Sequence, residues 1–446
     1  MADDLKKIKT SAFSRAFSVA KMAVSGTVKS QWIKFTESGD TENSERWKAF
    51  LLEQAQTITA ELGQLKGSLM KAGQIVSLYG ERLLPKEIND VFKKLQSQSP
   101  ALVWTEVERL LQNELGPEKY SQLEIDPTPV GSASLGQVHR AVEKKTGRVL
   151  ALKLKYPGVE AAIESDLKIL KRVLTTAGLI PRNLDLSIIF EEAHKMLSQE
   201  LNYKREGELL SEYRNFLKDD SRFVVPAPIP EYSTANLLAM TFEDGVRIDD
   251  PQVESLSQER KNRLALNFFD LFMQEVTVFG KVQTDPHFGN YLIRLDPEGK
   301  NDQWVLFDFG ALRDLEAEFL EPYLVMLRAS FRQDRAATHR ALVELGLLAS
   351  FEETEYAKAL IALCFLVTEP VLCEGAYDWA GSDLPERAIV KARPYMFDKN
   401  VRLPPPQMLS LDRKVGGVFT VMVKLQAKVH TKPIVEKYLF NQAEVS

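Results

Sequence analysis

The chain has 446 residues, 44% hydrophobic and 27% charged, with a net charge of −5. That is length for two or three domains with full cores and the composition of an ordinary globular protein, and it excludes a strongly basic nucleic-acid binder. Cys364 and Cys373 are the only cysteines, which supports neither a disulfide framework nor a zinc site and suits a reducing compartment.

No run approaches the roughly 18 apolar residues that span a bilayer, and the start, MADDLKKIKT, is a poor signal peptide because acidic residues precede its lysines and no apolar core follows. The expectation is a cytoplasmic protein without a transmembrane segment, at most peripheral on a membrane. In residues 11–26, Phe13, Phe17, Val19, Ala20 and Val24 fall near one another on a helix with Arg15 and Lys21 at its edges. Such a segment either lies on a membrane surface or packs on the protein itself.

From Ser44 to Gly80, Trp47, Leu51, Ile58, Leu62, Leu65 and Leu69 recur at helical intervals, which predicts a helix with one apolar stripe. Gly73 interrupts its helix formers and marks a kink or a close approach, while Lys71 and Gln74 supply a cation and an amide there. Thr105 to Leu115 is a second helical block, stopped by Gly116 and Pro117.

Asp126 to Ser134, DPTPVGSAS, changes the texture to prolines and small residues, and Gly131 to Ser134 reads as a loop. Gln137–Val142 and Val149–Leu154 are predicted strands around a turn at Lys145, Thr146 and Gly147. In the second strand Val149, Ala151 and Lys153 share one face and Leu150, Leu152 and Leu154 the other. A lysine beside a small alanine suits a nucleotide pocket, with the small-residue loop one strand upstream placed to cover phosphates.

Residues 155–225 carry two helical stretches. The second, Ile188 to Leu209, contains Glu200 and Glu206, either of which could pair with Lys153 and fix it for phosphate contact. Asn236–Phe242 is an apolar strand leading into a hinge-like Glu243-Asp244-Gly245. Ser257–Val278 is a helix whose Phe268, Phe269, Leu271, Phe272 and Val276 are core residues.

The richest stretch is Gln283–Gly310. Tyr291–Arg294 and Trp304–Phe307 have strand composition, with Asp296, Pro297 and Gly299 between them, and so read as a hairpin. Antiparallel pairing puts Asn290 and Asp308 at the same end, where an amide oxygen and a carboxylate can hold one Mg²⁺ against a polyphosphate. Asp285, five residues before Asn290, is the candidate base or orienter for in-line transfer. This is the layout of a kinase catalytic loop followed by a metal-binding DFG. After the DFG a helical pattern, Leu315–Arg332, follows almost at once, with no long polar segment and no Ala-Pro-Glu stop. The platform a protein kinase needs for its peptide is missing, which points to a lipid or small-molecule acceptor or to nucleotide hydrolysis. The remainder is mostly helical, broken at Pro385, Pro394 and Pro404–Pro406.

Taken together these motifs make the chain resemble the UbiB/AarF-type atypical kinases, the ADCK family, over about residues 10–430. The most specific element is the KxGQ motif at Lys71, Gly73 and Gln74, followed by LLP at 83–85. The resemblance implies an α+β, bilobal protein-kinase-like fold: an N-terminal helical extension carrying KxGQ (1–125) that folds over the active site, a kinase-like N-lobe (126–245) and a helical C-lobe (246–446). It implies that GSASLGQVH, with Ala133 and Ser134, replaces the glycine-rich loop, that Lys153 contacts phosphate and is held by Glu206, and that Glu200 opens the ExD element. Asp285 would be the catalytic aspartate, Asn290 and Asp308 the metal ligands, and Lys71 and Gln74 the lid. Two positions depart from the family pattern: Gly131-Ser132 stand where Ala-Ala is common, and Asn202 stands where ExD has its aspartate.

The activity implied is an ATP- and Mg²⁺-dependent atypical kinase or ATPase supporting ubiquinone or other prenyl-quinone and lipid metabolism at a membrane. Its partners would be a nucleotide, a lipid or prenyl-quinone precursor and lipid-modifying enzymes, with no nucleic acid. The alternatives are a small-molecule kinase of aminoglycoside or choline type and a nucleotide-binding pseudokinase scaffold.

Overall fold

The computed structural model describes residues 102–132, 135–176, 187–285, 287–392, 402 and 404–440. The 11–26 segment, the 44–80 helix with Lys71, Gly73 and Gln74, the LLP at 83–85, Ala133, Ser134 and Pro394 lie outside the described residues. The chain divides into two compact units, one holding the chain through Glu208 together with Ala227–Phe242, the other Leu209–Pro226 together with Glu243 onward.

In the first unit, helix α1 (Trp104–Ser121) buries Val107, Leu111 and Leu115, one turn apart. Its regular path breaks at Gly116, where φ is 72° and ψ 166°, a conformation that glycine takes without penalty just before a proline that cannot continue the hydrogen-bond ladder. Strands β1 (Leu123–Ser132), β2 (Gly136–Glu143) and β3 (Val149–Lys155) follow, then helices α2 (Val159–Thr176), α3 (Ser187–Glu200) and α4 (Tyr203–Phe216), of which only the first turns, through Glu208, belong to this unit.

After the two-residue strand β4 (Phe223–Val224), which belongs to the second unit, β5 (Leu237–Thr241) completes a four-stranded antiparallel sheet in the order β1-β2-β3-β5. The alternation expected for β3 is present: Leu150, Leu152 and Leu154 are buried in one core with the apolar stripe of α1, while Val149, Ala151 and Lys153 are half-buried on the other face. Gly136 is fixed by close approach, because a Cβ there would meet the Leu154 carbonyl oxygen at 2.5 Å and the Tyr203 hydroxyl at 2.9 Å.

Two expectations need correction. Gly131 and Ser132 belong to strand β1, paired with Val138 and Gln137, rather than to a loop. The prolines that suggested a loop are accommodated because β1 is an edge strand and its register shifts on both sides of Pro129. The stretch expected as one helix over Ile188–Leu209 is two, α3 and α4, parted at Leu201 and Asn202. Asn202 is the reason: its Oδ1 accepts the Arg205 N–H at 3.0 Å, capping α4. Asn202→Ala is therefore expected to cost about 1 kcal/mol, read as a lowered denaturant midpoint, while Asn202→Asp, an equally good cap, leaves the midpoint within about 0.3 kcal/mol.

In the second unit, α5 (Pro251–Glu254) leads to α6 (Gln258–Gln274), started by the Ser257 side chain on Arg260 N–H and continued by a π-helical turn, Glu275–Phe279. Phe268, Phe269, Leu271 and Val276 are buried as expected, and Phe272 is half-buried.

Beyond β6 (Lys281–Gln283), the predicted hairpin is β7 (Tyr291–Arg294) and β8 (Gln303–Leu306), antiparallel with Tyr291 opposite Leu306. It sits on α6 through Phe268, whose ring centroid lies 4.9 Å from that of Trp304 and 5.2 Å from that of Tyr291, and through the Trp304 Nε1 donated to Leu264 O at 3.0 Å. The hairpin turn is anchored by Asp302, fully buried at its carboxylate and bridged by the guanidinium groups of Arg260 and Arg263. After the DFG a short strand β9 (Leu312–Asp314), not anticipated, pairs with β6, and helix α7 (Ala317–Phe331) starts three residues later.

The rest is helical: α8 (Arg335–Glu344), α9 (Glu355–Val367), α10 (Glu369–Leu372), α11 (Leu384–Ala392), α12 (Pro406–Lys424) and α13 (Lys432–Leu439), with one small ribbon of β10 (Tyr377–Asp378) and β11 (Lys428–Val429).

Candidate active site

The first unit holds a paired lysine. Lys153 Nζ donates to Glu206 Oε1 at 2.7 Å, with the lysine side chain 16% exposed and the glutamate 3%. The lysine leaves the half-buried face of β3, and the glutamate comes from the first turn of α4, so the Asn202 cap that starts α4 also sets the height of Glu206. Two ammonium groups meet the Tyr203 ring, Lys153 Nζ 5.4 Å and Lys155 Nζ 5.3 Å from its centroid. Glu200 is the last residue of α3 and is half-buried. Lys71, Gln74, Ala133 and Ser134 lie outside the described residues.

The second unit brings Asp285, Asn290 and Asp308 to one end of the hairpin. The Phe307 N–H meets Asn290 O at 3.3 Å, which places the residues flanking β7 and β8 side by side, as the antiparallel pairing requires. Asn290 is 9% exposed, and its Nδ2 donates to Asp285 O at 2.9 Å. With the amide nitrogen engaged there, Oδ1 is the atom turned to other partners. Asp308 has φ 109°, a region non-glycine residues rarely enter, and its Oδ1 accepts the Gly310 N–H at 3.2 Å.

The oxygen atoms of an asparagine and an aspartate are a hard donor set suited to Mg²⁺. Among the described residues no group of three or more His, Cys, Asp or Glu is placed to hold a metal.

Five polar groups beside this constellation have no sequence signal of their own: Arg413, Lys414, Glu275, Tyr213 and Gln283. Arg413 on α12 donates through Nη2 to Asp285 Oδ1 at 2.7 Å. Its neighbour Lys414, 1% exposed, sets Nζ 2.7 Å from Glu275 Oε2, itself fully buried on the π-helical turn. Tyr213 Oη donates to Glu275 Oε1 at 2.6 Å. Burial, and then the Glu275 charge, push the Tyr213 phenol well above its ordinary range. Burial followed by the charges of Glu275, Asp285 and Asp308 does the same to Tyr291. Both phenols therefore stay protonated donors at any physiological pH. Gln283 is 4% exposed. Its contacts, with those of Glu275, Lys414, Asn290 and Asp308, line a cavity of about 10 Å³, room for about one water molecule. Arg413 lies 128 residues from Asp285 in sequence, so no local spacing announced it.

The model of the ABC1 atypical kinase-like domain matches residues 94–342. The chain is similar to the mitochondrial atypical kinase COQ8 of Saccharomyces cerevisiae, 31% identical over 437 residues that make up 96% of this chain and 85% of that protein. It is 28% identical to the mitochondrial atypical kinase COQ8B of Rattus norvegicus, over 95% of this chain and 80% of the relative. It is 28% identical to the mitochondrial coq-8 of Caenorhabditis elegans, over 87% of this chain and 52% of that longer protein. A solved structure of Rv3197 with erythromycin, from Mycobacterium tuberculosis, is 24% identical with a TM-score of 0.59, covering 89% of this chain and 98% of that one, a likeness in the α+β, kinase-like fold.

Proposed function

The chain belongs to the ABC1 atypical kinase-like family, and from that premise we propose that it is a phosphotransferase that binds ATP with Mg²⁺ and passes the terminal phosphoryl group to a lipid or prenyl-quinone precursor or to water. Its place is at a membrane surface, in support of ubiquinone or other prenyl-quinone and lipid metabolism. Among the described residues no helix is long and apolar enough to cross a membrane. The relatives named above are mitochondrial.

The observation that carries the reading is the hairpin register, which sets Asn290 opposite Phe307, the residue before Asp308, together with the Asn290 amide donated to the main chain of Asp285. In this reading Asn290 and Asp308 hold Mg²⁺, which when bound neutralises charge on the phosphate oxygens. Asp285 orients the attacking hydroxyl and accepts its proton. Lys153, held by Glu206, grips phosphate as a point charge. Glu200 supports the nucleotide site at the end of α3, Ala133 and Ser134 cover the phosphates, and Lys71 and Gln74 close over the pocket. The passage from β9 to α7 without an intervening platform favours an acceptor other than a protein.

The test is ATP hydrolysis by the purified chain at fixed Mg²⁺, with and without anionic vesicles and a quinone-precursor phenol. Stimulation by vesicles or phenol supports the proposal, whereas tight ATP binding with no turnover in any mixture would replace it with a scaffold. The Arg413 guanidinium fixes the Asp285 carboxylate from a helix remote in sequence. Arg413→Ala is accordingly expected to lower turnover about tenfold by letting Asp285 leave its productive orientation, with a smaller change in the KM for ATP.

A further inference from the structure

We propose that Gln283 is a positioning residue that sets the two halves of the site in register: its carboxamide ties the main chain at Asp285 to the main chain at Asp308. What that register is used for rests on the phosphotransferase reading above; the register itself does not.

Gln283 ends β6 and is almost fully buried. Its Oε1 accepts the Asp285 N–H at 2.8 Å, and its Nε2 donates to Asp308 O at 3.1 Å, across 25 residues of sequence. One end of a primary amide accepts and the other donates, so both ends are matched to their partners. Glutamate of the same length would set a second acceptor against the Asp308 carbonyl, and leucine would offer neither function. The direction of the Asp308 carbonyl is what needs holding, because the residue sits at φ 109°, where the local backbone does not hold itself.

The neighbouring contacts reinforce the same junction. The Thr284 N–H and Oγ1 both donate to Ala311 O, at 3.2 and 2.8 Å, and Gln283 pairs with Leu312 in the β6–β9 ladder. From behind, Gln283 N–H meets Glu275 Oε1 at 3.4 Å, and Glu275 is itself pinned by Tyr213 and Lys414. A buried charged cluster thus backs the strand that carries the clamp, and the clamp spans the two loops that hold Asp285 and Asp308.

The experiment compares full-length wild type, Gln283→Leu and Gln283→Glu by amide hydrogen exchange and, in parallel, by Mg²⁺-dependent ATP turnover. In Gln283→Leu the Asp285 amide is expected to exchange about tenfold faster. In Gln283→Glu, which keeps the acceptor and loses the donor, that amide stays protected while the Asp308–Gly310 segment loosens. Both variants are expected to lose about tenfold in kcat with the KM for ATP within about twofold, a split that a general loss of folded protein does not produce when rates are normalised to native enzyme. If Gln283→Leu fails to fold, the opposite response of the two loops in Gln283→Glu carries the test. Asp285 protection unchanged in a folded Gln283→Leu overturns the clamp, and turnover within about twofold of wild type in both variants overturns its role in positioning the site. A wild-type chain without turnover, in which Gln283→Leu still loses Asp285 protection, upholds the clamp and overturns the phosphotransferase reading instead.

Discussion

Asp308→Asn is expected to lower Mg²⁺-dependent ATP turnover by at least about a hundredfold, since a metal-held carboxylate supplies several kcal/mol of transition-state charge stabilisation. The substitution isolates the charge. Asparagine keeps an oxygen for the Gly310 N–H that Asp308 Oδ1 now accepts, and it is among the residues that best tolerate a positive φ. The variant should therefore melt within about 2 °C of wild type, and its loss should be only partly recovered by raising Mg²⁺. Asp308→Ala would confound the two effects by dropping the Gly310 contact as well. Chelation of Mg²⁺ in the wild type should reproduce the same loss. Turnover that survives Asp308→Asn at the wild-type level removes Asp308 from the metal role and with it the reading of the hairpin end.

The parts of this site legible from sequence are those encoded within a few residues. Period-two alternation in VLALKLK by itself separates the Lys153 face from the Leu150–Leu152–Leu154 face. The apolar runs around DPEGKNDQ predict the hairpin, whose register sets Asn290 opposite Phe307, the residue before Asp308. Errors arose where one local signal masked another. The two prolines and small residues of DPTPVGS hid β1, because an edge strand with shifted register tolerates what a central strand would not. Helical periodicity ran through Leu201 and Asn202, and the capping oxygen that divides α3 from α4 carries no periodicity of its own. The second row of the site, Gln283, Glu275, Arg413 and Lys414, was hidden for a different reason. A buried lysine in LDRKVGG looks like any surface cation of a helix until its partner, carried by another helix, is known. The span matched by the family model, residues 94–342, likewise stops before α12, although α12 supplies the guanidinium on Asp285.

The largest effect on stability is expected from Lys414→Met. Lys414 and Glu275 are both essentially inaccessible to water, with side chains 2% and 1% exposed and charged atoms 2.7 Å apart. Removing the cation leaves a carboxylate in the interior with the Tyr213 hydroxyl and the Gln283 N–H as its remaining neutral donors. Breaking a buried pair from one side costs about 3–5 kcal/mol, more than the intact pair contributes over apolar replacements, because the surviving charge has lost its water and its counterion. For a unit of this size that is a fall in Tm of roughly 10 °C. Methionine retains contact with the Phe268 ring, over which the ammonium now sits at 5.5 Å, so the loss of packing is small and the charge dominates. The double variant Lys414→Met with Glu275→Gln keeps the oxygen that accepts from Tyr213 and removes the stranded charge. It should recover more than half of the lost Tm, giving a coupling energy of at least about 2 kcal/mol in a double-mutant cycle. If the single and double variants melt together, the pair is not what holds α12 against the π-helical turn, and the order in Glu275 comes from Tyr213 and the strand. If the double recovers stability and turnover stays low, the buried charge serves the placement of Gln283 and the two loops beyond it rather than the stability of the unit.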